Sequence, residues 1–336
     1  SCVLVRSVIF IRFLFVFFIY LDQQNFTRYQ LKSNLKWKQN AQTVAGGNGY
    51  GNTSNQLYYP RGIYIDRQQQ YIYIADRKNH RIVKWKLGER ESSGQIVAGG
   101  NGEGNGIDQL NDPANVIVDE NNRSLIICDC GNGRVVRWSL ENSNDKQIII
   151  QNISCWGLML NENGDLFVSD DGNYAVKRWK KGEKEEEGTF VAGGNGKGNK
   201  LNQLNDPGFL FVDREESVYV SDYYNHRVMK WLKGAKEGII VAGGQGQGNS
   251  LNQLDRPQGL IVNEIGDVYV AEWGNNRVVC WPLGSKEGRI VVGGNGEGEG
   301  SNQFNGPIDL LFDIENNLYV ADQWNNRIQR FEIDKT

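Results

Sequence analysis

Six acidic residues recur along the chain in a constant local setting, and they are the first candidates for chemistry. Each ends a short apolar segment and is followed three residues later by Asn. An Arg stands five residues after every acid but one, whose place is taken by Ala175. A ring of carboxylates could bind a metal ion, but Asp and Asn also hydrogen-bond turn backbone, and Arg pairs with carboxylates. Since a feature present in every repeat is usually architectural, we interpret the acids as scaffold. They are Asp76, Asp129, Asp170, Asp222, Glu272 and Asp322.

Other residues that could do chemistry are few. The two histidines, His80 and His226, stand four residues after an acid, where other copies have Asn. A zinc site usually needs three protein ligands. The glycine-rich loops lack the Gly-Lys-Ser/Thr ending of a phosphate loop, and there is no Gly-x-Ser-x-Gly motif. We therefore predict no catalytic residue and no cofactor. Asn115, Asp309 and Asp171 are the only oxygen ligands we would name for a hard cation.

The five cysteines are too few for a disulfide scaffold. Cys130 follows one of the six acids, and Cys155 replaces a proline that other copies carry. The connection before Cys155 also lacks the glycine loop, so a disulfide could substitute for it. We expect a Cys130–Cys155 bond. Cys128–Cys155 is the alternative, less favoured because Cys128 lies within a strand.

The elements that must position these residues form a repeat. The acids are spaced 53, 41, 52, 50 and 50 residues apart, and an aromatic residue stands nine residues after each acid. Within one copy, the segments GFLFVD, VYVSD, HRVMKW and IIVAGG are short, apolar and separated by tight turns. Their β-branched and aromatic residues favour strands. Six four-stranded modules predict an all-β fold, a six-bladed β-propeller of antiparallel blades.

The two ends of the repeat region complement each other. The sixth module stops after its third strand, at IQRFEI, and residues 42–47 (QTVAGG) are a fourth strand without the first three. Pairing them would remove two exposed strand edges. We predict that the last blade is closed by the N-terminal strand.

The repeated VADxxNHRVxxW element, with PxGLxVD before it, resembles the NHL repeat family over residues 42–336. The resemblance implies a six-bladed propeller and little about chemistry. NHL propellers serve as extracellular sensor domains, as RNA- or protein-binding platforms of tripartite-motif ubiquitin ligases, and as a metal-dependent amidating lyase. Fold alone does not choose between these roles.

The first residues differ from the repeat region. Residues 1–22 are a hydrophobic leader, but the longest uninterrupted apolar run, Phe13–Leu21, has only nine residues. Such a run is short for a membrane span and suits a signal peptide or the end of an anchor. Residues 23–41 would be a linker and 42–336 the propeller. Together with four glycosylation sequons, the leader predicts a secreted or membrane-anchored extracellular protein, with a cytoplasmic one as the alternative. The sequons begin at Asn25, Asn52, Asn122 and Asn152.

The net charge of −3 argues against a broad basic surface, so nucleic acid is an unlikely partner. A membrane could be contacted only through the leader. Blade one alone carries a basic group, formed by Arg61, Arg77, Lys78 and Arg81.

Positions that vary from blade to blade are the best guide to binding. They are the two residues after each acid and the first residues of each inner strand. Exposed aromatics beside Arg commonly anchor interfaces, although unselected loop variation would look the same. We predict a non-catalytic recognition or scaffold propeller that binds a protein or other ligand on this loop face. The alternatives are an intracellular protein- or RNA-binding module similar to the tripartite-motif propellers, and a metal-dependent lyase or lactonase. The predicted binding residues are Arg61, Arg77, Asn115, Trp156, Tyr223, Tyr224, Trp273, Asp309 and Trp324.

Overall fold

A computed structural model describes residues 35–66, 68–89, 93–142, 144–183 and 187–335. Within this part of the chain the backbone forms 24 strands in six antiparallel sheets of four. After β1 (Gln42–Gly46), the first three blades are β2 (Pro60–Ile65), β3 (Tyr71–Asp76), β4 (Arg81–Lys86) and β5 (Gln95–Gly99); β6 (Pro113–Asp119), β7 (Ser124–Asp129), β8 (Arg134–Ser139) and β9 (Lys146–Gln151); and β10 (Cys155–Leu160), β11 (Leu166–Asp170), β12 (Ala175–Trp179) and β13 (Thr189–Gly193).

The remaining blades repeat this pattern. They are β14 (Pro207–Val212), β15 (Val218–Asp222), β16 (Arg227–Trp231) and β17 (Ile239–Gly243); β18 (Pro257–Val262), β19 (Val268–Glu272), β20 (Arg277–Trp281) and β21 (Arg289–Gly293); and β22 (Pro307–Phe312), β23 (Leu318–Asp322) and β24 (Arg327–Phe331). Short 3-10 turns follow the second strand at Arg77–Asn79, Cys130–Asn132, Asp171–Asn173, Tyr223–Asn225 and Trp273–Asn275.

The six sheets close into a ring around their first strands. Each of β2, β6, β10, β14, β18 and β22 contacts the first strands of both neighbouring blades, and β22 returns to β2. The inner strands are almost entirely buried, whereas the fourth strands are exposed edges. The predicted six-bladed propeller is confirmed.

Closure of the ring uses both ends of the described chain, as predicted. β1 pairs antiparallel with β24, from Gln42 opposite Arg330 to Gly46 opposite Arg327. The contact continues upstream, where Trp37 bridges to Ile333 and is buried against the last two blades. The indole N–H of Trp37 donates to the Asn316 carbonyl at 2.8 Å. Trp37 lies in the segment that sequence assigned to the linker, and the domain boundaries themselves stay predictions. The hydrophobic leader lies outside the described residues, and no helix in the described part is long and apolar enough to cross a bilayer.

The recurring acid and Arg form a buried clamp for the glycine loop, which confirms their interpretation as scaffold. In blade one, Arg81 Nε donates to Asp76 at 2.7 Å, and its other nitrogens donate to the carbonyls of Asn52, Thr53 and Gln56. Blades two, four, five and six carry the same pair. Blade three has no glycine loop before it, and there Lys177 replaces Arg as the partner of Asp170. Arg is thus present where loop carbonyls must be held.

The disulfide joins Cys128, not Cys130, to Cys155, so the predicted Cys130–Cys155 bond is wrong. Cys128 lies in β7, whose side chains pack against β10 of the next blade. Residues two apart share a face only while the strand stays extended. At Asp129 the chain turns into the 3-10 turn, which carries Cys130 away from Cys155. Cys130 is a half-buried free thiol whose pKa is raised by burial.

Candidate functional site

One face of the ring gathers the variable positions. First strands begin and second strands end on this face, which we call the Pro-side face after the prolines that open five inner strands. The ladder between first and second strand is irregular immediately after the proline, or after Cys155, in every blade. Such bulges re-aim side chains at the rims of closed sheets. The irregularity therefore sets which residues reach the mouth of the central channel.

Large and small residues alternate around this mouth. One residue after the proline position, blades one, three and five carry Arg61, Trp156 and Gln258, and blades two and four carry Ala114 and Gly208. Ile308 of blade six is the exception to the alternation. At the next residue the order is reversed, with glycine in blades one, three and five and Asn115, Phe209 and Asp309 in the others. The glycines are sterically required: a Cβ on Gly62 would lie 2.7 Å from the Asn115 Cα, and one on Gly259 would lie 2.6 Å from the Asp309 Cα.

Arg61 crosses the mouth. Its guanidinium carbon lies 3.5 Å from the centroid of the Trp156 ring, two blades away, and the residue is 4 % exposed. The charges of Arg77, in the same blade, and of Asp206 act on it. Burial lowers the pKa of Arg61 to about 9, because no hydrogen-bonding carboxylate offsets desolvation of the cation.

Asp309 is buried at the mouth in blade six, which adjoins blade one. Its two oxygens accept backbone N–H groups from Ile63 at 2.9 Å and Leu310 at 2.8 Å. Burial raises the pKa of Asp309 to about 7 despite these bonds. The carboxylate ties blade six to blade one, and Asn115 packs directly against Gly62.

A second carboxyl, Asp171, lies near Asp206 rather than near Asn115 or Asp309. The two acids share a hydrogen bond, and burial together with the Asp206 charge raises the pKa of Asp171 to about 7. Within the described residues no group of three or more His, Cys, Asp or Glu side chains is arranged to hold a metal ion. Of the cation ligands suggested by the sequence, Asp171 has Asp206 as its partner, and Asp309 accepts backbone N–H groups of Ile63 and Leu310.

Three of the four cations in the basic group of blade one form ion pairs with neighbouring carboxylates. Arg77 and Lys78 pair with Asp112 at 3.1 and 3.0 Å, and the pKa of Asp112 is lowered, burial being outweighed by these two cations. Arg81 is buried in the clamp with Asp76. Arg61 is therefore the one member of this group for which the described structure shows no ion pair.

The two histidines fasten neighbouring blades. His80 Nδ1 accepts the backbone N–H of Asp112, and His226 Nδ1 accepts that of Arg256. In the next two blades Asn276 and Asn326 accept the equivalent N–H groups with their amide oxygens. A neutral imidazole nitrogen and an amide oxygen are both acceptors, which explains why His and Asn share this position.

An aromatic arc runs around the other half of the Pro-side face. It consists of Tyr50, Tyr58, Tyr59, Trp324 and Trp273, whose neighbouring ring centroids are 5.0 to 6.3 Å apart. Tyr50 is 70 % exposed and Trp324 is 48 % exposed. The arc thus presents several rings to solvent across blades one, six and five.

Arg256 extends the arc towards blade four. Its guanidinium carbon lies 5.3 Å from the Trp273 ring centroid, and its charge acts on Tyr223. Tyr223 packs edge-on against Tyr224, which is 54 % exposed.

The structure divides the sequence-predicted binding residues into two groups. Arg61, Arg77, Asn115, Trp156 and Asp309 belong to the channel mouth. Trp273 and Trp324 belong to the aromatic arc, and Tyr223 and Tyr224 lie beside it. Whether any of them binds a ligand stays a prediction.

Sequence reasoning overlooked the residue before each proline. Tyr59, Asp112, Asp206 and Arg256 occupy this position, and all have positive φ. Tyr59 is one ring of the arc, and Asp112 pairs with Arg77 and Lys78. Asp206 is the partner of Asp171, and Arg256 lies over Trp273. The signal was present, since this position also varies from blade to blade.

Comparisons with known proteins agree with the fold. The sequence model of the NHL repeat matches residues 57–85, which cover most of blade one. A structural genomics protein of unknown function from Bacteroides thetaiotaomicron is 17 % identical, with 89 % of this chain and 77 % of that chain covered and a TM-score of 0.68. No curated protein sequence matches the chain.

Two further structures have printed functions. An auxiliary nutrient binding protein from Bacteroides thetaiotaomicron is 14 % identical, with 89 % and 78 % of the two chains covered and a TM-score of 0.67. A catalytically inactive virginiamycin B lyase from Staphylococcus aureus with quinupristin is 12 % identical, with 84 % and 98 % covered and a TM-score of 0.54. At these identities the likeness shows the fold alone.

Proposed function

We propose that this propeller is a non-catalytic recognition domain, secreted or membrane-tethered, that binds a protein or other ligand on its Pro-side face. The observation that carries the proposal is the aromatic arc. Large aromatic side chains supply much contact area for little loss of side-chain freedom, and they dominate the energetics of many interfaces. A nutrient binding protein with the same fold supports a binding role.

Aromatic residues also stand in the turns where the repeat varies. Trp273, Trp324, Tyr223 and Tyr224 occupy turns whose sequence differs in every blade, on a scaffold whose buried clamps are nearly constant. Scaffold residues hold these turns rigidly, since the turn Asn donates to the clamp acid in each blade. A rigid face with individual side chains is suited to selecting one ligand.

The test replaces Tyr223, Tyr224, Trp273 and Trp324 together with Ala. We expect the variant to capture no partner from the secreted and cell-surface proteins of the source organism. The melting transition should be retained, because these turns lie outside the cores of the blades. Leu283→Ala with Ile314→Ala is the matched control, since both side chains are exposed on the opposite face. If partner capture survives the aromatic replacements, or is lost equally in the control, the Pro-side face is not the binding surface.

The proposed extracellular location of the protein is tested separately. Asn52, Asn122 and Asn152 are all exposed, so a glycan could be attached at each without disturbing the core. Expression in a eukaryotic secretory host should give a glycosidase-sensitive mass shift that Asn-to-Gln replacements at these positions remove. Unglycosylated protein confined to the cytosol would favour the intracellular interaction module.

A further inference from the structure

Arg61 is a buried cation whose hydrogen-bonding edge is free among the described residues. Its Nε has no hydrogen-bond partner, and no ion pair of the described chain includes it. A buried charge without a partner costs several kcal/mol, so chains rarely keep one for packing alone. The five buried arginines that begin third strands, by contrast, are all paired with an acid.

Stacking, rather than an ion pair, accompanies the Arg61 guanidinium in the described structure. Trp156 lies against one face of the guanidinium, and such stacking leaves the N–H donors directed outward in the plane of the group. Gln258, at the equivalent position of blade five, has a buried Oε1 without a hydrogen-bond donor. The mouth therefore offers a planar set of donors and a separate acceptor.

The local charge selects the kind of anion. Arg77 adds positive charge near Arg61, but Asp206 and Asp309 add negative charge. A singly charged planar group gains the attraction of the guanidinium with less repulsion than a dianion would meet. An Arg fork also matches the two oxygens of a carboxylate.

We propose that the channel mouth on the Pro-side face binds a carboxylate group, to which Arg61 donates hydrogen bonds while Trp156 holds the guanidinium in place. The inference rests on the proposed recognition function, because it names a chemical group that this face recognises. The carboxylate could belong to a free small molecule or to an acidic side chain of a protein ligand.

The experiment follows the Arg61 Nε–H signal by ¹H–¹⁵N NMR of the full chain during titration. Arg61→Lys assigns the signal by its loss. The probes are acetate, an N-acetylated and C-amidated Gly-Asp-Gly peptide, its Gly-Asn-Gly counterpart and inorganic phosphate. We expect saturable shifts with acetate or the Asp peptide, and none with the Asn peptide. Because wild-type protein is titrated, the test does not depend on a variant that folds.

Calorimetric titration of variants gives a second readout. Arg61→Lys should weaken carboxylate binding about ten-fold or more, because an ammonium is a point charge that lacks the fork and the stacking plane. Arg214→Lys, which changes an exposed Arg in the turn between β14 and β15 on the opposite face, should leave the affinity unchanged.

Each outcome of these titrations supports or overturns the carboxylate proposal. Equal binding of acetate and the Asp peptide supports the proposal with a free small carboxylate as ligand, and tighter peptide binding supports it with an acidic side chain. No shift with either probe, or phosphate binding as tight as carboxylate binding, overturns it. If partner capture still depends on the aromatic arc while carboxylates fail, only this inference falls. Carboxylate binding without arc-dependent capture would instead count against the recognition face.

Discussion

At the scale of single residues, position in the blade decides what a charged side chain does. Arg81 and Arg61 are both buried, but Arg81 holds loop carbonyls and an acid, whereas Arg61 spans the channel mouth. Five residues separate Arg81 from its acid in the same blade. Trp156 reaches Arg61 only because the ring brings the first strands of blades one and three to the same axis.

The Asp171–Asp206 pair makes stability depend on pH. The pKa of Asp171 is about 7 in the fold and about 3.8 ordinarily, so the folded protein keeps a proton that the unfolded chain loses over this interval. The stabilisation is complete below about pH 4 and is lost as the pH rises through about 7. Lys197, Asp170, Asp222 and Arg61 are the other charges that act on the pair.

Asp171→Asn should remove this dependence, because an amide donates to Asp206 at every pH. We expect the variant to exceed the wild type in unfolding free energy by about 1 kcal/mol at pH 8, the size of one hydrogen bond, and to lose the advantage near pH 4. Urea denaturation across this pH range measures the difference in unfolding free energy. The exposed Asp145→Asn is the control, and parallel profiles for wild type and Asp171→Asn would refute the shared proton.

At the scale of elements, two devices join neighbouring blades. Most junctions use a glycine loop whose carbonyls are held by the Arg of the next blade. The junction between blades two and three has neither, and the Cys128–Cys155 disulfide lies there instead. A covalent bond thus takes the place of the hydrogen bonds from Arg to the loop carbonyls, while Lys177 retains the ion pair with the acid.

Cys155→Ser should therefore destabilise the protein strongly. The bond closes a segment with a sequence separation of 27, which corresponds to about 3 kcal/mol of chain entropy in the unfolded state. Denaturation in urea should show this loss, and a reductant should reproduce it in the wild type. Cys130→Ser is the matched control, since Cys130 is a free thiol two residues from Cys128. Equal effects of the two replacements would contradict the assigned pairing.

At the scale of the whole molecule, stability depends on ring closure. β1 is the fourth strand of a blade whose other strands come from the far end of the chain, and Trp37 extends this contact. Without β1, β24 would be an open edge, and the junction between the last blade and the first would lose its loop.

Deleting 41–47 should abolish the single cooperative melting transition, measured by calorimetry. Trp37→Ala should lower stability by about 3–5 kcal/mol, the usual cost of removing a buried aromatic, and keep the transition cooperative. A deletion variant that melts as one sharp transition near the wild-type temperature would show that the other blades do not need closure.

The sequence alone determined the features that repeat. The strand pattern, its spacing and the two incomplete ends predicted six blades and closure by the N-terminal strand. Strand alternation and unpaired edges are local properties of the sequence, and the alternation recurs in every copy of the repeat. The acid, Asn and Arg were recognised as scaffold for the same reason. Only the tertiary structure decided which unique residues meet. Arg61 and Trp156 are far apart in sequence and lie in non-adjacent blades, the turn at Asp129 redirects Cys130, and the arc joins Tyr59 to Trp324 across the closure. Such contacts depend on bulges, turn geometry and the ring itself, which no repeat unit encodes by itself.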